Sequence, residues 1–227
     1  MAQVEEARGD SHRAFKIKIG FGEARDLATL RPVFAALKAG ERIMVDINQG
    51  WDLRTATRMV QVLSEFPLTW IEEPLAADRP AWEWSQVAGA SRAPLAAGEN
   101  LRGALEFHTA LREHHLGFVQ PDCCKWGGLS ATLPVARAIV ASGRDYCPHF
   151  LAGGIGQLAS LHLLTAVRGS GLLEVDANPN PLRSALVDPV LRIKDGTVVP
   201  PATPGLGIEP DIKALSRFVV LKLEQNA

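Results

Sequence analysis

The feature that most constrains the fold is a regular alternation of short β-prone runs with longer segments of helical periodicity. Each of about seven runs between Ala14 and Asp176 is followed by a helix or a long connection. The runs are predicted at 14–19, 42–47, 68–71, 94–98, 117–121, 144–149 and 171–176. Repeated strand–helix units are typical of an α/β fold with a parallel sheet. The length and regularity of the series favour a TIM-type (β/α) barrel over an open doubly wound sheet.

The segments between these runs carry apolar residues at helical spacing. Helices are predicted at 26–38, 53–66, 81–88, 104–114, 130–142 and 157–167. The inner stripe of the second helix is predicted to contain Ala56, Met59, Val60 and Leu63. No glycine-rich dinucleotide fingerprint follows the first strand, because the run 20–22 lacks the third glycine. A barrel therefore stays preferred to a dinucleotide-binding fold.

The strand count is one short of the eight in a closed barrel. The residues before Ala14 are interpreted as the end of a helix, so the barrel is predicted to lack its first strand. Three explanations stay open: the eighth strand comes from elsewhere, the chain is a fragment, or the barrel is incomplete. We predict a barrel domain over 1–186 and a separate tail over 187–227. In the tail, β-prone runs flank Asp195-Gly196, which indicates a hairpin, and a short helix is predicted at 212–218.

Charge and cysteine usage exclude several classes of partner. The 227 residues carry a net charge of −1, which gives no electrostatic footprint for nucleic acid or an anionic membrane. We see no apolar run of the length that crosses a membrane. The cysteines Cys123, Cys124 and Cys147 match no disulfide framework or zinc spacing, so a reducing, cytoplasmic setting is predicted. Cys123 and Cys124 are interpreted as packing residues.

Polar side chains recur at the carboxyl end of nearly every predicted strand. They are Lys16, Lys18, Asp46, Asn48, Glu72, Glu99, Asn100, Asp122, His149 and Glu174. From one strand to the next they are separated by 23 to 27 residues, which is one strand–helix unit. Because the carboxyl ends of barrel strands meet at one mouth, these side chains are predicted to form a single ring there. A single acid at a strand end is more often a helix cap, and a single lysine is more often a solvated surface residue. Neither explanation predicts that polar residues recur once in every strand–helix unit.

Three carboxylates on consecutive strands, Asp46, Glu72 and Glu99, would repel one another without a cation. Oxygen ligands of this kind suit Mg²⁺, which keeps positions open for water and substrate oxygens. The run Glu72-Glu73-Pro74 ends its strand in two adjacent acids, and strand parity does not choose between them. The sequence therefore predicts a magnesium site with one glutamate of this pair as a ligand.

Two acid–base groups flank the predicted metal site. Lys16 and Lys18 share one strand face because they are two residues apart. Beside a divalent ion and each other, their pKa values are expected to fall, so that one lysine could act as a base. Asp122 and His149 end neighbouring strands, where a carboxylate would fix the tautomer of the imidazole and raise its basicity.

Six short motifs occur in order between Phe15 and Asn178. They are Phe15-Lys16-Ile17-Lys18-Ile19-Gly20, Val45-Asp46-Ile47-Asn48, Trp70-Ile71-Glu72-Glu73-Pro74, Gly98-Glu99-Asn100, Gln120-Pro121-Asp122 and Pro148-His149. Together they resemble the barrel domain of the enolase superfamily, within the mandelate racemase/muconate lactonizing enzymes. In the muconate type, the sixth strand of the complete barrel carries a lysine base. Here the corresponding strand is the fifth predicted run, 117–121, and it is followed by Asp122, so the racemase-like subgroup fits better. Lys125, which follows Asp122, is interpreted as a loop residue.

The resemblance implies a role for each residue of the ring. It implies Mg²⁺ ligation by Asp46, Glu72 and Glu99, with Glu73 beside them. It implies Lys18 as the base on one face of the substrate, with Lys16 tuning it, and His149, paired with Asp122, as the acid or base on the other face. Glu174 resembles the acid that hydrogen-bonds the enolate, and substrate binding is assigned to Asn48 and Asn100.

The implied reaction is Mg²⁺-dependent removal of the proton alpha to a substrate carboxylate through an enediolate. We expect dehydration of an acid sugar or hydroxy acid, with racemisation of a 2-hydroxy acid as the alternative. Family members carry an N-terminal capping domain and a first barrel strand, both predicted to be missing here, so weak or no turnover is expected. A barrel fragment that binds metal or serves as a scaffold is the non-enzymatic alternative. The predicted partners are a small carboxylate substrate and further copies of the chain in a homo-oligomer.

Overall fold

The fold is built on one parallel sheet of six strands in sequential order. A computed structural model describes residues 1–151, 153–184, 191–211 and 213–220. The strands are β1 (Ala14–Lys18), β2 (Arg42–Asp46), β3 (Ile71–Glu72), β4 (Leu95–Ala97), β5 (Leu116–Val119) and β6 (Asp145–Tyr146). The predicted α/β class and parallel pairing are confirmed.

Helices follow or connect these strands. They are α1 (Ala2–Gly9), α2 (Glu23–Ala35), α3 (Leu53–Val62), α4 (Ala81–Ala90), α5 (Gly103–Glu113), α6 (Gly128–Ala141), α7 (Gly154–Val167) and α8 (Pro181–Ser184). Short 3-10 helices cover Leu63–Glu65 and Lys213–Phe218. The last of these matches the helix predicted at 212–218, of which residue 212 lies outside the described residues. No helix in the described ranges is long and apolar enough to span a bilayer.

The sheet curls into a half-barrel. Lys16 on β1 and Glu174, which follows α7, lie 2.6 Å apart although they belong to opposite ends of the sheet. The carboxyl ends of the strands therefore face a common space. A complete barrel is not formed by the described residues; the parallel strand–helix units of the predicted TIM-type barrel, which was expected to lack its first strand, are observed.

The strands β2, β3 and β4 are buried on both faces, because their side chains alternate between two apolar layers. On β2, Ile43 and Val45 pack in the large layer between the sheet and the helices. Met44 points to the other side and packs with Trp70, Ala96 and Cys147 in a small inner layer. The inner face of β2 ends in Asp46, so the inner layer forms the floor beneath the polar residues at the strand ends.

The helix α3 shows how local sequence sets the packing. Asp52 caps its amino end by accepting a hydrogen bond from the Thr55 backbone N at 2.7 Å. Its stripe of Ala56, Met59 and Val60 is buried against the sheet, as the apolar spacing predicts. The loop after β2, which carries Asn48, leads directly into this packed helix.

The seventh predicted strand, 171–176, is not a strand in the structure, and the prediction is wrong. The segment does lie against β6, since a Cβ on Gly171 would collide with the Tyr146 carbonyl oxygen. The Leu172 backbone N, however, donates to the Cys147 thiol at 3.2 Å. A backbone N–H that donates to a side chain cannot also donate to the neighbouring strand. The segment therefore runs beside the sheet without extending it.

The tail packs on α7. Leu191, Val198 and Leu206 contact the buried Leu158 and Leu161 of that helix. The predicted hairpin is reduced to one antiparallel bridge between Lys194 and Thr197. Asp195 and Gly196 form its turn, with φ of 47° and 74°, as expected for an Asp-Gly turn. The division into two domains stays a prediction.

Gly98 allows β4 and β5 to approach each other directly below the polar ring. Its φ is +151°, and a Cβ at this position would lie 2.6 Å from the Gln120 backbone N. We expect Gly98→Ala to lower the free energy of unfolding by about 2–4 kcal/mol, through strain and overpacking together. Gly22→Ala is the matched control, since φ is +110° there and a Cβ would meet nothing. Urea unfolding should show the larger loss for Gly98→Ala; equal losses would rule out the close approach as its cause.

Candidate active site

The polar ring forms because parallel register aligns the ends of three strands. Lys18 pairs with Asp46, and Asp46 pairs with Glu72. Residues paired across a parallel sheet point to the same face, so these three side chains form one row along the carboxyl edge. The loops after β4, β5 and β6 add Glu99, Asp122 and His149.

Lys16 is the positive centre of the first half of the site. Its Nζ lies 2.6 Å from Glu72 Oε1, 2.6 Å from Glu174 Oε1 and 3.5 Å from Asp46 Oδ2. Burial would lower the pKa of this lysine, but the three surrounding carboxylates outweigh burial and raise the pKa above its ordinary value. The fall predicted for Lys16 assumed a neighbouring divalent ion, and it stays a prediction for the site with that ion bound. Lys16 and Lys18 both contact Asp46, as expected of residues on one strand face that meet the other strand-end residues at the mouth.

Lys18 occupies the outer rim of the same cluster. Its side chain is 55% exposed, compared with 15% for Lys16. Its Nζ donates to Asp46 Oδ2 and to Asn48 Oδ1, both at 2.5 Å. Asn48 has a positive φ of 48°, and its backbone N donates to Asp46 Oδ1 at 2.8 Å. The exposed lysine is thus the one that a ligand at the mouth could reach.

Glu72 is buried beneath Lys16. Its Oε2 accepts hydrogen bonds from Trp70 Nε1 at 2.9 Å and from Gln120 Nε2 at 2.8 Å. Burial raises the pKa of Glu72 to about 7, while the charge of Lys16 opposes that rise. A cation bound beside Glu72 would therefore stabilise the charged form of this buried carboxylate.

Glu73 is turned to a different part of the site, although it is next to Glu72. Its φ of 43° ends the strand geometry, and its carboxylate accepts hydrogen bonds from Asn100 Nδ2 at 2.9 and 3.1 Å. Burial, followed by repulsion from Glu99, raises the pKa of Glu73 to about 7. Of the two acids, Glu72 is the one in register with Asp46, which strand parity did not decide.

His149 is the centre of the second half of the site. Its Nδ1 lies 2.8 Å from Asp122 Oδ2, and its Nε2 contacts Glu99 Oε2. Burial would lower the pKa of His149, but its hydrogen bonds to these carboxylates raise it to about 9. The same contacts lower the pKa of Asp122, and they lower that of Glu99 to about 2, both against the effect of burial. The predicted Asp122–His149 pair is observed.

Glu174 joins the two halves. One of its oxygens contacts Lys16, and the other lies 3.9 Å from His149 Nε2. That second oxygen also accepts a hydrogen bond from the Phe150 backbone N at 3.1 Å. Glu174 therefore stands between the lysine side and the histidine side of the mouth.

Three residues that contact the ring were not singled out from the sequence. Trp70 and Gln120 bind Glu72, and each lies two residues before a predicted site residue, so the alternation of strand side chains could have indicated them. Lys125 was interpreted as a loop residue, yet its Nζ lies 3.6 Å from Glu99 Oε1. Lys125 lies three residues after Asp122 and beyond the strand, so strand alternation could not have indicated it.

The predicted magnesium ligands are divided between two positive groups. Asp46 and Glu72 face Lys16, whereas Glu99 faces His149. No three acidic, histidine or cysteine side chains of the described ranges are gathered in a metal-binding arrangement. The donor chemistry nevertheless suits Mg²⁺, because Asp46 and Glu72 each direct an oxygen at the same ammonium group. The residues therefore fit a cation between these two carboxylates, with Glu99 in the loop after the next strand, β4.

The pKa of His149 can be tested directly in protein treated with a chelator. Ring-proton NMR should give a pKa of about 9, and Asp122→Asn should lower it. Because the folded pKa exceeds the unfolded value, the linked stabilisation is present below about pH 6.5 and is lost as the pH rises through 9. We expect urea unfolding to show a loss of about 3 kcal/mol across that interval. A folded pKa at or below 6.5 would contradict the contacts described above.

Comparison with known proteins shows what the chain is similar to. A family model described as enolase C-terminal domain-like matches residues 1–214. D-galactarolactone cycloisomerase of Agrobacterium fabrum is 30% identical over 225 residues, which is 96% of this chain and 59% of that protein. A solved structure of a mandelate racemase/muconate lactonizing enzyme from Bordetella bronchiseptica RB50 is 50% identical, with a TM-score of 0.91, and the match covers 94% of this chain and 60% of that chain.

A third similar protein was solved with a bound metal. It is L-talarate/galactarate dehydratase from Salmonella typhimurium LT2, liganded with Mg and L-lyxarohydroxamate. This structure is 32% identical, has a TM-score of 0.83, and is matched over 94% of this chain and 52% of that chain. The chain thus spans between 52% and 60% of the length of these three relatives.

Proposed function

The chain belongs to the family of enolase C-terminal domain-like proteins, and we propose that it dehydrates an acid sugar or hydroxy acid by removing the proton alpha to its carboxylate. The resemblance predicted from the six motifs is confirmed at the level of the family. Relatives are dehydratases and cycloisomerases of sugar acids by name. The substrate and the activity of this chain are our proposal.

One observation carries the proposal. A lysine pair at one end of the sheet and a histidine–aspartate pair at the other end meet through a single carboxylate, Glu174. Removal of an α-proton and loss of a β-hydroxyl require a base and an acid on different sides of the substrate. The two ends of the half-barrel supply them.

The proton transfers are assigned to Lys18 and His149. Lys18 Nζ takes the α-proton, because it is the exposed lysine at the mouth. His149, with a pKa raised to about 9 by its carboxylate contacts, is protonated at neutral pH and gives the Nε2 proton to the departing hydroxyl. Asp122 holds Nδ1 and orients the ring. Water leaves, and the resulting enol tautomerises to a 2-keto acid.

Asp46, Glu72 and Glu99 are proposed to hold Mg²⁺. When bound, the ion supplies positive charge that stabilises the enediolate of the substrate. Lys16 contacts two of these acids, Asp46 and Glu72, and its positive charge would partly neutralise them. Asn48 and Asn100 stay proposed substrate contacts, since their side chains lie at the rim against Lys18 and Glu73.

Racemisation of a 2-hydroxy acid is the second candidate. The observation that favours it is the same pair of groups, because a protonated His149 can return a proton to the α-carbon on the side opposite Lys18. A non-enzymatic scaffold is the remaining alternative. The small carboxylate substrate and the homo-oligomer stay predictions.

A screen of acid sugars and hydroxy acids with Mg²⁺ tests the proposal. Formation of a 2-keto acid supports dehydration, whereas α-proton exchange in D₂O with inversion and no keto acid supports racemisation. The screen should compare this chain with a form extended by the remaining part of a relative, because the chain spans only 52% to 60% of the length of the three relatives described above. Lys18→Met is the control for background chemistry. Absence of both products and exchange in both forms would contradict the proposed enzyme.

A further inference from the structure

The two oxygens of Glu72 are held in different ways. Oε1 accepts a hydrogen bond from the charged Lys16 Nζ at 2.6 Å. Oε2 accepts two hydrogen bonds from neutral donors, Trp70 Nε1 at 2.9 Å and Gln120 Nε2 at 2.8 Å. One oxygen therefore faces the cation of the site, and the other is occupied by the protein.

Both neutral donors are fixed by their surroundings. Trp70 and Gln120 are each only 3% exposed. The Trp70 ring packs on Phe118 at a centroid distance of 4.8 Å. The Gln120 backbone N donates to the Ala97 carbonyl at 2.9 Å, and Gly98 leaves the room for this approach. Rotation of the Glu72 carboxylate would break two buried hydrogen bonds whose donors have nowhere to move.

Asp46 is held in the same manner. Its Oδ1 accepts a hydrogen bond from the Asn48 backbone N at 2.8 Å. Its Oδ2 faces Lys18 at 2.5 Å and Lys16 at 3.5 Å. Each of these two buried acids therefore presents a single oxygen to the positive groups and binds a neutral donor with the other.

We propose that Trp70 and Gln120 are positioning residues that hold Glu72 in a one-oxygen orientation and thereby make the site selective for Mg²⁺ over Ca²⁺. Mg²⁺ requires near-octahedral geometry and binds one or two carboxylates with water in the remaining positions. Ca²⁺ is larger and readily takes both oxygens of a carboxylate. A glutamate whose second oxygen is occupied twice suits the first ion and disfavours the second. The inference rests on the proposed function, because it assumes that Glu72 is a metal ligand.

Calorimetric titration of the full chain with MgCl₂ and with CaCl₂ tests the inference, using Trp70→Phe and Gln120→Met. Gln120→Met keeps the length of the side chain, Trp70→Phe keeps a smaller aromatic ring, and each removes one hydrogen bond to Oε2. We expect the Kd for Mg²⁺ to rise about 10-fold or more, as is typical when a partner of a metal ligand is lost. The Kd for Ca²⁺ should stay the same or fall, so the preference for Mg²⁺ should shrink.

The chain offers a matched control for each variant. Trp84 Nε1 and Gln157 Nε2 are buried and have no hydrogen-bond partner in the described part of the chain. Trp84→Phe and Gln157→Met therefore remove the same donor groups where those donors make no hydrogen bond. Both should keep the wild-type affinity for each ion. Circular dichroism and urea unfolding check that all four variants fold, and Gln120→Met alone suffices if Trp70→Phe does not.

The outcomes separate this inference from the proposed function. If the wild type binds Mg²⁺ and the Trp70 and Gln120 variants match their controls, the positioning role is overturned while the metal site stands. An equal loss of affinity for both ions also overturns it, because general loosening of the site would not change the preference. If the wild type binds neither ion, the proposed metal site fails and the inference fails with it.

Discussion

Glu72→Gln is expected to abolish the stabilisation of the protein by Mg²⁺. A ligand that binds only the folded state stabilises it by about 2.7 kcal/mol at 100 times its Kd, so the wild type should melt at a higher temperature as MgCl₂ is added. Glutamine keeps the size of the side chain but removes the charge that faces the cation. Thermal unfolding of the wild type and the variant, each with MgCl₂ or with a chelator, measures the effect. The shift caused by Mg²⁺ is compared, since the loss of the contact with Lys16 also changes the stability of the metal-free variant.

Glu73→Gln is the matched control for this experiment. Glu73 is the neighbouring acid, is equally buried, and has a pKa raised to about 7 like that of Glu72. It faces Asn100 and is not in register with Asp46. We expect this variant to keep most of the response to Mg²⁺. If Glu73→Gln lost the response to Mg²⁺ and Glu72→Gln kept it, Glu73 would be the ligand. If Mg²⁺ left the melting temperature of the wild type unchanged, the assignment of these residues as metal ligands would fail.

The choice between these two glutamates shows where sequence reasoning ends. Alternation along a strand predicts which residues share a face, and it correctly placed Lys16 and Lys18 together beside Asp46 and Glu72. It did not decide between Glu72 and Glu73, because both faces of an inner strand are buried. The decision depends on the backbone of Glu73, whose positive φ turns it away from the row. A single residue in this conformation is set by tertiary packing, which has no local signal.

The charge state of the site was harder to predict than its membership. The spacing of strand–helix units predicted that Glu99, Asp122 and His149 would meet, and the structure brings them together. The sequence does not indicate which cation each carboxylate binds, because that depends on side-chain rotamers. Lys16 lies within 3.5 Å of three carboxylates, which raise its pKa, whereas the predicted fall assumed a neighbouring divalent ion. The unformed strand at 171–176 has a similar cause, since a thiol side chain competes for its backbone donor.

His149→Gln is expected to separate the two proton transfers of the proposed reaction. Loss of a general acid lowers turnover by about 10²- to 10⁴-fold, so keto-acid formation should fall by that amount. Lys18 lies on β1, at the other end of the sheet, and its contacts with Asp46 and Asn48 do not involve the histidine. Exchange of the substrate α-proton with D₂O should therefore persist in this variant. NMR of the recovered substrate measures exchange, and a keto-acid assay measures dehydration. Both are carried out with the form of the protein that shows activity in the substrate screen.

Lys18→Met completes the comparison, because it removes the proposed base and leaves the histidine with Asp122. We expect this variant to lose exchange and dehydration together, since the hydroxyl leaves only after the α-proton has been removed. Two outcomes would contradict the assignment. Unchanged dehydration in His149→Gln would show that another group donates the proton, and retained exchange in Lys18→Met would place the base elsewhere. Loss of exchange in both variants would mean that the lysine and the histidine act as one unit, in spite of their positions at opposite ends of the half-barrel.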